Sequence, residues 1–423
     1  MQTLPGFRDF YPADCAARRC VFDTWREVAR RYGFVEMDGP TLEPVELYKK
    51  KSGGELVGQL FDFVDKGERH VALRPEMTPT LARMVAAKER EFKKPLKWFS
   101  IANYFRYEKQ QKGRLREFTQ LNCDLIGEAS PAADAEMIAL AIDLMRGFGL
   151  GAEDFVVRVN DRNAWMQFLA ARNIAAERAP DFLQIIDKLE REEPGVTTKK
   201  LADYNLTRVE LDDFLARPPA ELGGALGPLA ADLEARGLRE FVEFDPKIVR
   251  GLAYYTGVVF EIFDRPRKFR ALAGGGRYDN LIATLSDNAV DLPALGFAVG
   301  DVVLLELLRA LPHTAAKLAA ATRAAGSPEL YVVIADETFR PQALGLIREL
   351  RDAGRRVDFS LTAAKVGKQF QTAETLGATH AVVLGAEWPQ VKLKTLATRA
   401  EETLSHIELP ARLSRSNAAA RAT

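Results

Sequence analysis

Charged and amide side chains recur at positions of the same parity in the segment FRYEKQQKGRLREFTQLNCD. Side chains alternate across a strand, so Arg106 and Glu108 share one face of a first strand. By the same rule Arg116, Gln120 and Asp124 share one face of a return strand. If the two strands pair as a hairpin, a guanidinium, an amide and a carboxylate meet on one platform. Such a platform is suited to hold a phosphate beside an amine.

The connector between the two strands, KQQKGR, is basic and polar. Gly113 allows it to bend, and its composition predicts a mobile loop rather than a tight turn. A basic loop beside Arg106 suits a polyphosphate or a nucleic-acid backbone, because guanidinium binds phosphate oxygens bidentately. A solvated charged hairpin explains the same pattern, so other segments must decide between the two.

Composition narrows the possible classes of function. A chain of 423 residues predicts two or three domains. Lys+Arg and Asp+Glu are balanced at 59 each, so any RNA contact must come from local patches. Cys15, Cys20 and Cys123 form no CxxC pair, which predicts a reduced cytoplasmic setting without structural zinc. We find no signal peptide and no apolar run of about 18 residues, so a membrane location is not expected.

Hydrophobic patterns predict the elements that must position the polar face. Val21, Trp25, Val28 and Tyr32 recur at helical spacing and predict an amphipathic first helix. Strand-like and helical segments then alternate irregularly up to about residue 150, which is typical of an antiparallel sheet flanked by helices.

Beyond about residue 160 the predicted secondary structure changes several times along the chain. A charged helical stretch from about 161 to 240 indicates an inserted subdomain, and strand character then returns in VVFEIF and ALGFAV. The sheet is therefore predicted to form from both sides of the insertion. An Ala-rich linker at 311–328 precedes LYVVI, RVDF and AVVL, which with two helices give a βαβαβ pattern over 329–413. The small polar tail, 414–423, is predicted to be disordered.

Six segments together resemble a known family. The hairpin resembles motif 2 of class II aminoacyl-tRNA synthetases, and its TQLNCD ending is similar to the histidyl-tRNA synthetase version. FRD near the start and the GP that follows FVEM are similar to the N-terminal signature and motif 1, and RPEMT is similar to the segment that holds the substrate amine. RGLAYY, beginning at Arg250, and GGGRYD, beginning at Gly274, resemble elements of the histidine-specific enzymes and their close paralogues. The resemblance covers residues from about 4 to about 413.

This resemblance implies a fold and a reaction. The implied fold class is α+β, with a class II synthetase antiparallel sheet flanked by helices, a helical insertion and a C-terminal α/β anticodon-binding domain. The implied reaction attaches L-histidine to tRNA(His) through a histidyl-adenylate, using ATP with Mg²⁺ and no resident metal. A homodimer is implied because motif 1 forms dimers in this family. The implied domains are a catalytic part at 1–160, the insertion at 161–240, a second catalytic part at 241–310, the linker at 311–328 and the anticodon-binding domain at 329–413.

The resemblance also implies roles for individual residues. Arg106 and Arg250 are the catalytic candidates, since they would flank the α-phosphate of ATP and cancel the repulsion between two anions. Glu76 and Thr78 would bind the α-ammonium group of histidine. The implied histidine-binding residues are Glu76, Thr78, Gln120, Asp124, Tyr254 and Tyr255, and the implied ATP-binding residues are Arg106, Glu108, Arg116 and Arg250.

Other residues admit a second explanation. Tyr254, Tyr255 and Tyr278 are equally consistent with half-buried strand or turn aromatics. In the C-terminal domain, Lys365, Lys368 and Gln369 at the start of a helix are candidates to meet RNA phosphates, or form a solvated helix end. The four histidines lie outside every motif.

The chain departs from the family pattern at two places. Ala253 replaces the aspartate of RGLDYY, and in the motif 3 segment GFAVGDVV, Val302 and Val303 stand where glutamate and arginine are expected. That arginine ordinarily meets the adenine and γ-phosphate of the nucleotide. Arg277 or a lysine of the motif 2 loop is a candidate to replace it.

These departures keep two alternatives open. One is a synthetase-like paralogue that binds histidine and regulates a partner enzyme of histidine biosynthesis, although such paralogues commonly lack the C-terminal domain. The other is a stress-sensing module that binds uncharged tRNA, which is normally fused to a kinase, and the sequence contains no kinase motifs.

Overall fold

The computed structural model describes residues 2–50, 54–109, 111, 113–189, 192–249 and 254–414. The chain divides into two compact units, Met1–Phe10 with Arg18–Leu318, and Tyr11–Ala17 with Ala319–Thr423. Within the described ranges no helix combines the length and the apolar character needed to cross a bilayer.

The described residues contain sixteen strands in three sheets. They are β1 (Val35–Glu36), β2 (Leu42–Pro44), β3 (Phe61–Val64), β4 (His70–Leu73), β5 (Leu96–Phe105), β6 (Glu117–Ile126), β7 (Phe155–Asp161), β8 (Val242–Phe244), β9 (Val258–Asp264), β10 (Ala273–Arg277), β11 (Ala294–Gly300), β12 (Leu330–Ile334), β13 (Val357–Phe359), β14 (His380–Leu384), β15 (Gln390–Thr395) and β16 (Glu401–Ser405).

Sixteen α-helices lie within the same described ranges. They are α1 (Pro12–Arg31), α2 (Val45–Lys49), α3 (Gly54–Val57), α4 (Thr78–Lys88), α5 (Pro131–Gly147), α6 (Arg162–Ala170), α7 (Ala179–Lys188), α8 (Pro194–Ala202), α9 (Arg208–Leu215), α10 (Pro219–Leu222), α11 (Leu226–Ala235), α12 (Leu281–Leu285), α13 (Asp301–Ala310), α14 (Pro312–Gly326), α15 (Arg340–Asp352) and α16 (Val366–Thr375).

The central sheet of the first unit has eight strands in the order β1-β5-β6-β11-β10-β9-β7-β8. Its five inner pairings are antiparallel, whereas β1 pairs with β5 and β8 pairs with β7 in parallel. Parallel pairing is possible at both edges because a long connection separates the two paired strands. The connection from β1 to β5 includes a small antiparallel sheet of order β2-β4-β3. The predicted α+β fold class is confirmed.

Segments from both sides of the helical insertion build this sheet. Strand β6 pairs with β11, and β7 pairs with β9, so strands that end by residue 161 pair with strands that begin at residue 258 or later. Helices α6 to α11 occupy most of the range between them, and Trp165, Phe168, Phe182 and Phe214 pack there in a cluster of rings. The insertion therefore has an aromatic core of its own.

The first helix buries the stripe that its spacing indicated. Val21, Trp25 and Val28 are fully buried, while Tyr32, just after the helix end, donates a hydrogen bond of 2.6 Å to Asp143. The predicted linker, by contrast, is largely helical, since α14 ends at Gly326 and follows α13 almost directly. Its alanines favour the helix because they lose little side-chain entropy there.

The second unit contains a five-stranded sheet in the order β13-β12-β14-β15-β16. The predicted βαβαβ unit forms its parallel part, and β15 and β16 extend it with antiparallel strands that the sequence pattern did not indicate. Side chains of β12 alternate between two apolar clusters, one with α15 and the other with α16. The two helices therefore cover opposite faces of the sheet.

One predicted RNA contact in this unit is wrong. Gln369 is buried, and its side chain accepts the N–H of Ile334 and donates to the carbonyls of Ile334 and Ala364 at 2.8–2.9 Å. Its amide is therefore used to join α16 to β12. Lys365 and Lys368 are exposed and leave the prediction intact for themselves.

Candidate active site

The motif 2 segment forms the predicted hairpin. Tyr104 lies opposite Phe118, and Ala102 lies opposite Gln120, which continues the alternation to Asp124. Beyond the strand ends, the N–H of Arg106 still donates to the Arg116 carbonyl at 2.9 Å. This register puts the polar residues of β6 on a common face.

That face forms one side of a cavity of about 1080 Å³. Such a volume exceeds what a single amino acid needs and is at the upper end of the range for small-molecule sites. The structure brings most of the predicted site residues into it. Eight of them line the cavity, namely Glu76, Thr78, Arg106, Glu108, Gln120, Asp124, Tyr254 and Tyr255.

A buried arginine fixes the segment that carries Glu76 and Thr78. Arg74 donates to the Asp38 carboxylate at 2.8 Å and to the Gly39 carbonyl at 2.7 Å, so it joins this segment to the motif 1 region. From the other side, the Nε of Arg106 donates to the Pro75 carbonyl at 3.0 Å. The segment that carries the Glu76 carboxylate and the Thr78 hydroxyl is thereby held next to the hairpin.

The far end of the cavity contains a buried tyrosine that sequence reasoning did not assign to the site. The hydroxyl of Tyr278 donates to the Asp124 carboxylate at 2.5 Å. Burial, together with the nearby charge of Asp124, raises the pKa of Tyr278 well above its usual value. Tyr278 therefore remains a proton donor and orients the carboxylate. Its place in the GGGRYD motif was the signal that could have identified it.

Three further features shape this end. Asn122 is buried, and its Oδ1 accepts no hydrogen bond from the described part of the chain, so it is available to a ligand in the cavity. Gly296 on β11 lies directly opposite Asp124, and a methyl group there would overlap the Asp124 carboxylate. Tyr254 packs beside the rings of Tyr255 and Tyr278, at 4.8 and 6.1 Å between centroids. This end of the cavity is therefore lined by aromatic rings, an amide and a carboxylate.

Cationic side chains dominate the opposite end. Arg106 stacks over Phe118 at 5.3 Å, and Arg114 forms an ion pair of 2.8 Å with Glu108. The geometry gives no support to an ATP contact by Arg116, whose guanidinium lies over the Tyr107 ring at 4.1 Å and is not among the residues that line the cavity. The other predicted catalytic arginine, Arg250, lies outside the described residues.

Arg277 does not serve as the replacement cation that the sequence suggested. Its guanidinium is buried and donates to both oxygens of Asp134 at 2.8 and 3.1 Å, with Asp279 3.3 Å away. These carboxylates raise the pKa of Arg277, although burial opposes them. A side chain used in this way ties β10 to α5 and has no donor directed at the cavity.

The altered motif 3 segment nevertheless reaches the cavity. Asp301, fully buried, accepts from Arg8 at 2.9 Å and from the N–H of Thr119 at 3.0 Å, which anchors the start of α13 beside β6. Val302 and Val303 follow it and line the cavity next to the motif 2 loop. An apolar surface therefore lies where the family pattern has a cation. Among the residues described, no group of three side chains has the composition of a metal site.

Comparison with known proteins agrees with this geometry. Residues 6–304 match the family described as histidyl-tRNA synthetase, and residues 329–416 match the anticodon binding domain. The histidine–tRNA ligase of Opitutus terrae is 44% identical over 95% of each chain. The crystal structure of histidyl-tRNA synthetase from Nostoc sp. superposes with a TM-score of 0.79 at 22% identity, covering 98% of this chain and 99% of that one.

A further neighbour carries a double description. An ATP phosphoribosyltransferase regulatory subunit/histidyl-tRNA synthetase from Bacillus halodurans superposes with a TM-score of 0.70 at 25% identity, covering 88% of this chain and 96% of that one. The match to the family over residues 6–304 and the identity to the Opitutus terrae ligase over nearly the whole chain are decisive. The chain belongs to the histidyl-tRNA synthetase family.

Proposed function

We propose that this chain catalyses the ATP-dependent attachment of histidine to tRNA(His) through a histidyl-adenylate. The observation that carries the proposal is the single cavity in which the predicted amine-binding, imidazole-binding and phosphate-binding side chains meet. They come from three separate segments of the sequence, namely RPEMT, the hairpin and RGLAYY, and each segment resembles a motif of the family.

The proposed histidine site uses polar groups at both ends of the amino acid. Glu76 and Thr78 bind the α-ammonium group, and Gln120 lies beside the carboxylate. Asp124, oriented by Tyr278, binds one nitrogen of the imidazole, and Tyr255 binds the other. Apolar amino acids are rejected because they would leave these buried groups without hydrogen-bond partners.

The proposed activation step joins two anions, the histidine carboxylate and the α-phosphate of ATP. The carboxylate attacks the α-phosphorus, and pyrophosphate leaves. Arg106 is held by Pro75 and by the Phe118 ring, so its positive charge needs little reorganisation as charge develops on the phosphate. Arg250 is proposed to act from the other side of the same phosphate.

Mg²⁺ is proposed to enter with ATP. This ion takes most of its ligands from phosphate oxygens and water and needs only one or two carboxylates from the protein. Glu108 and Glu261 line the cavity and meet that need. The ion would neutralise charge on the triphosphate.

The second unit and a second subunit complete the proposal. Residues 329–413 are proposed to bind the anticodon of tRNA(His), because they match the anticodon binding domain. We further propose a cytoplasmic homodimer, formed through the motif 1 region.

The test is histidine-dependent ATP–pyrophosphate exchange, followed by aminoacylation of tRNA(His) with the same preparation. We expect exchange with histidine and none with leucine or phenylalanine at equal concentration. Folded protein that shows no exchange at millimolar ATP and Mg²⁺ would exclude the enzyme. In that event the histidine-binding regulatory paralogue, which the valines of motif 3 favour, becomes the better account.

A further inference from the structure

A basic turn between β9 and β10 borders the phosphate end of the cavity. It carries Arg267, Lys268 and Arg270, and the buried Asp264 closes it by accepting the N–H groups of Lys268 and Phe269 at 2.8 and 3.1 Å. The backbone of the turn is therefore braced at its base. Arg270 projects from the braced turn and lines the cavity, whereas Lys268 is not among the lining residues.

Arg270 lies beside the position of the missing motif 3 arginine. A methyl group built on Gly113 would be 3.2 Å from Cγ2 of Val303 and 3.5 Å from Cδ of Arg270. The two side chains therefore flank one point above the motif 2 loop, one supplying an apolar surface and the other a guanidinium. The Nη2 of Arg270 also donates to the Gln111 side chain of that loop at 2.9 Å.

Arg270 shares this corner with a second guanidinium, that of Arg114, and the Glu108 carboxylate that also acts on Arg270 is paired with Arg114 at 2.8 Å. Burial and the charge of Arg114 both lower the pKa of Arg270, with Glu108 opposing them. An anion placed between the two guanidinium groups would relieve this repulsion, and phosphate fits a guanidinium in bidentate fashion.

We propose that Arg270 binds the terminal phosphates of ATP and replaces, from a different element, the cation that motif 3 lacks at Val303. The proposal rests on the proposed function, because it assigns a residue to the nucleotide of that reaction. It makes Arg270 a substrate-binding residue for the β- and γ-phosphates. AMP, which lacks both, does not reach it.

The first experiment measures the ATP half-saturation in histidine-dependent pyrophosphate exchange. For Arg270→Ala we expect a rise of about tenfold to thirtyfold, the scale of a lost hydrogen bond to a charged group, with the histidine half-saturation unchanged. Lys268→Ala is the matched control, since it removes one positive charge from the same turn, and it should leave both values as in the parent. An equal rise of the ATP half-saturation in the two variants would show that Arg270 acts only through the overall positive charge of the turn. That result would overturn the proposal.

The second experiment moves the cation between the two elements. The double variant Arg270→Ala/Val303→Arg should recover most of the ATP half-saturation that Arg270→Ala loses, because both side chains flank Gly113. Recovery would show that a guanidinium at this point is what ATP needs. An ATP half-saturation of Arg270→Ala within about twofold of the parent would refute the role of Arg270. A folded double variant that recovers none of a larger loss would refute the claim that a guanidinium on either element serves the same phosphates.

A binding measurement separates this proposal from the proposed function. Calorimetry with ATP and with AMP needs no turnover, so it remains informative even if the parent shows no exchange. We expect Arg270→Ala to weaken ATP and spare AMP. Equal weakening of both nucleotides would indicate a disturbed pocket and contradict a phosphate contact.

Discussion

Asp124 is the residue that we propose to recognise the imidazole, and its orientation is fixed by Tyr278. The carboxylate lies on β6, while the hydroxyl that donates to it comes from the residue just after β10. A carboxylate oriented by a buried donor presents its acceptor atoms in a fixed direction. In the proposed site, selectivity is therefore shared between Asp124, which contacts histidine, and Tyr278, which positions it.

Removing the Tyr278 hydroxyl should weaken histidine binding. For Tyr278→Phe we expect the histidine half-saturation to rise about tenfold, because a buried carboxylate oxygen loses its donor, at a cost of about 1–3 kcal/mol. The ATP half-saturation should not change. Titration of histidine in pyrophosphate exchange provides the measurement.

Tyr32→Phe is the matched control for this change. It also removes a tyrosine–aspartate hydrogen bond, of 2.6 Å to Asp143, but neither residue lines the cavity. It should lower thermal stability without altering the histidine half-saturation. If both variants bind histidine as the parent does, Tyr278 is only a packed aromatic residue.

Residue types, parity and the family resemblance predicted which side chains would lie together, and eight of them line one cavity. The alternation on β6 placed Gln120 and Asp124 on one face because a strand leaves no other choice. The alternation could not reveal that Arg277 is hydrogen-bonded to Asp134, because that carboxylate lies 143 positions away on α5. Gln369 failed for a similar reason, because a helix start does not tell which side faces the sheet.

Strand β11 contributes to the pocket through a glycine, which has no side chain. Gly296 lies opposite Asp124 in the β6–β11 pairing, and the missing side chain leaves room for the carboxylate. The glycine therefore acts through the strand pair and not through any ligand contact of its own. A single Cβ atom on β11 is enough to change the geometry on β6.

Gly296→Ala should impair histidine binding while the sheet stays folded. The new methyl group must displace the Asp124 carboxylate, so we expect histidine affinity to fall by about tenfold or more, the scale of one charge-assisted hydrogen bond. Gly300→Ala on the same strand is the control, since a Cβ there meets nothing within 4 Å. Calorimetric titration with histidine would test this, and unchanged affinity in Gly296→Ala would count against it.

The strands followed the sequence where it carries a clear pattern. The hairpin was predicted from its alternating side chains, and the parallel strands of the second sheet were predicted from short apolar runs, which are buried on both faces. The parallel edges, β1 and β8, are two and three residues long, too short to show a period. Strand β16 has an exposed start and carries almost no hydrophobic signal.

The second unit presents its two helices to different surroundings. Lys365 and Lys368 are exposed at the start of α16, whereas α15 covers the other face of the sheet. If this unit binds RNA through α16, a charge change there must affect tRNA and leave adenylate formation untouched. That separation allows the two activities to be tested independently.

The double variant Lys365→Glu/Lys368→Glu should raise the tRNA half-saturation in aminoacylation by about tenfold and lower its dependence on salt, because phosphate contacts release counterions. Pyrophosphate exchange should be unchanged. Arg348→Glu on the exposed side of α15 is the control and should charge tRNA normally. Equal tRNA half-saturation in all three proteins would remove α16 from the RNA-binding surface.

If Asp124 and Tyr278 form the proposed histidine site, the strand order of the central sheet also sets when a growing chain can first bind histidine. Asp124 and Tyr278 are separated by 154 positions, and β11, which lies between their strands, ends only at Gly300. During synthesis the hairpin of β5 and β6 must therefore wait for the whole insertion before the strands that complete the pocket emerge. A nascent chain arrested before Gly300 should not be retained on immobilised histidine, whereas one released a short distance beyond it should be, so ligand capture would report the moment at which the sheet closes.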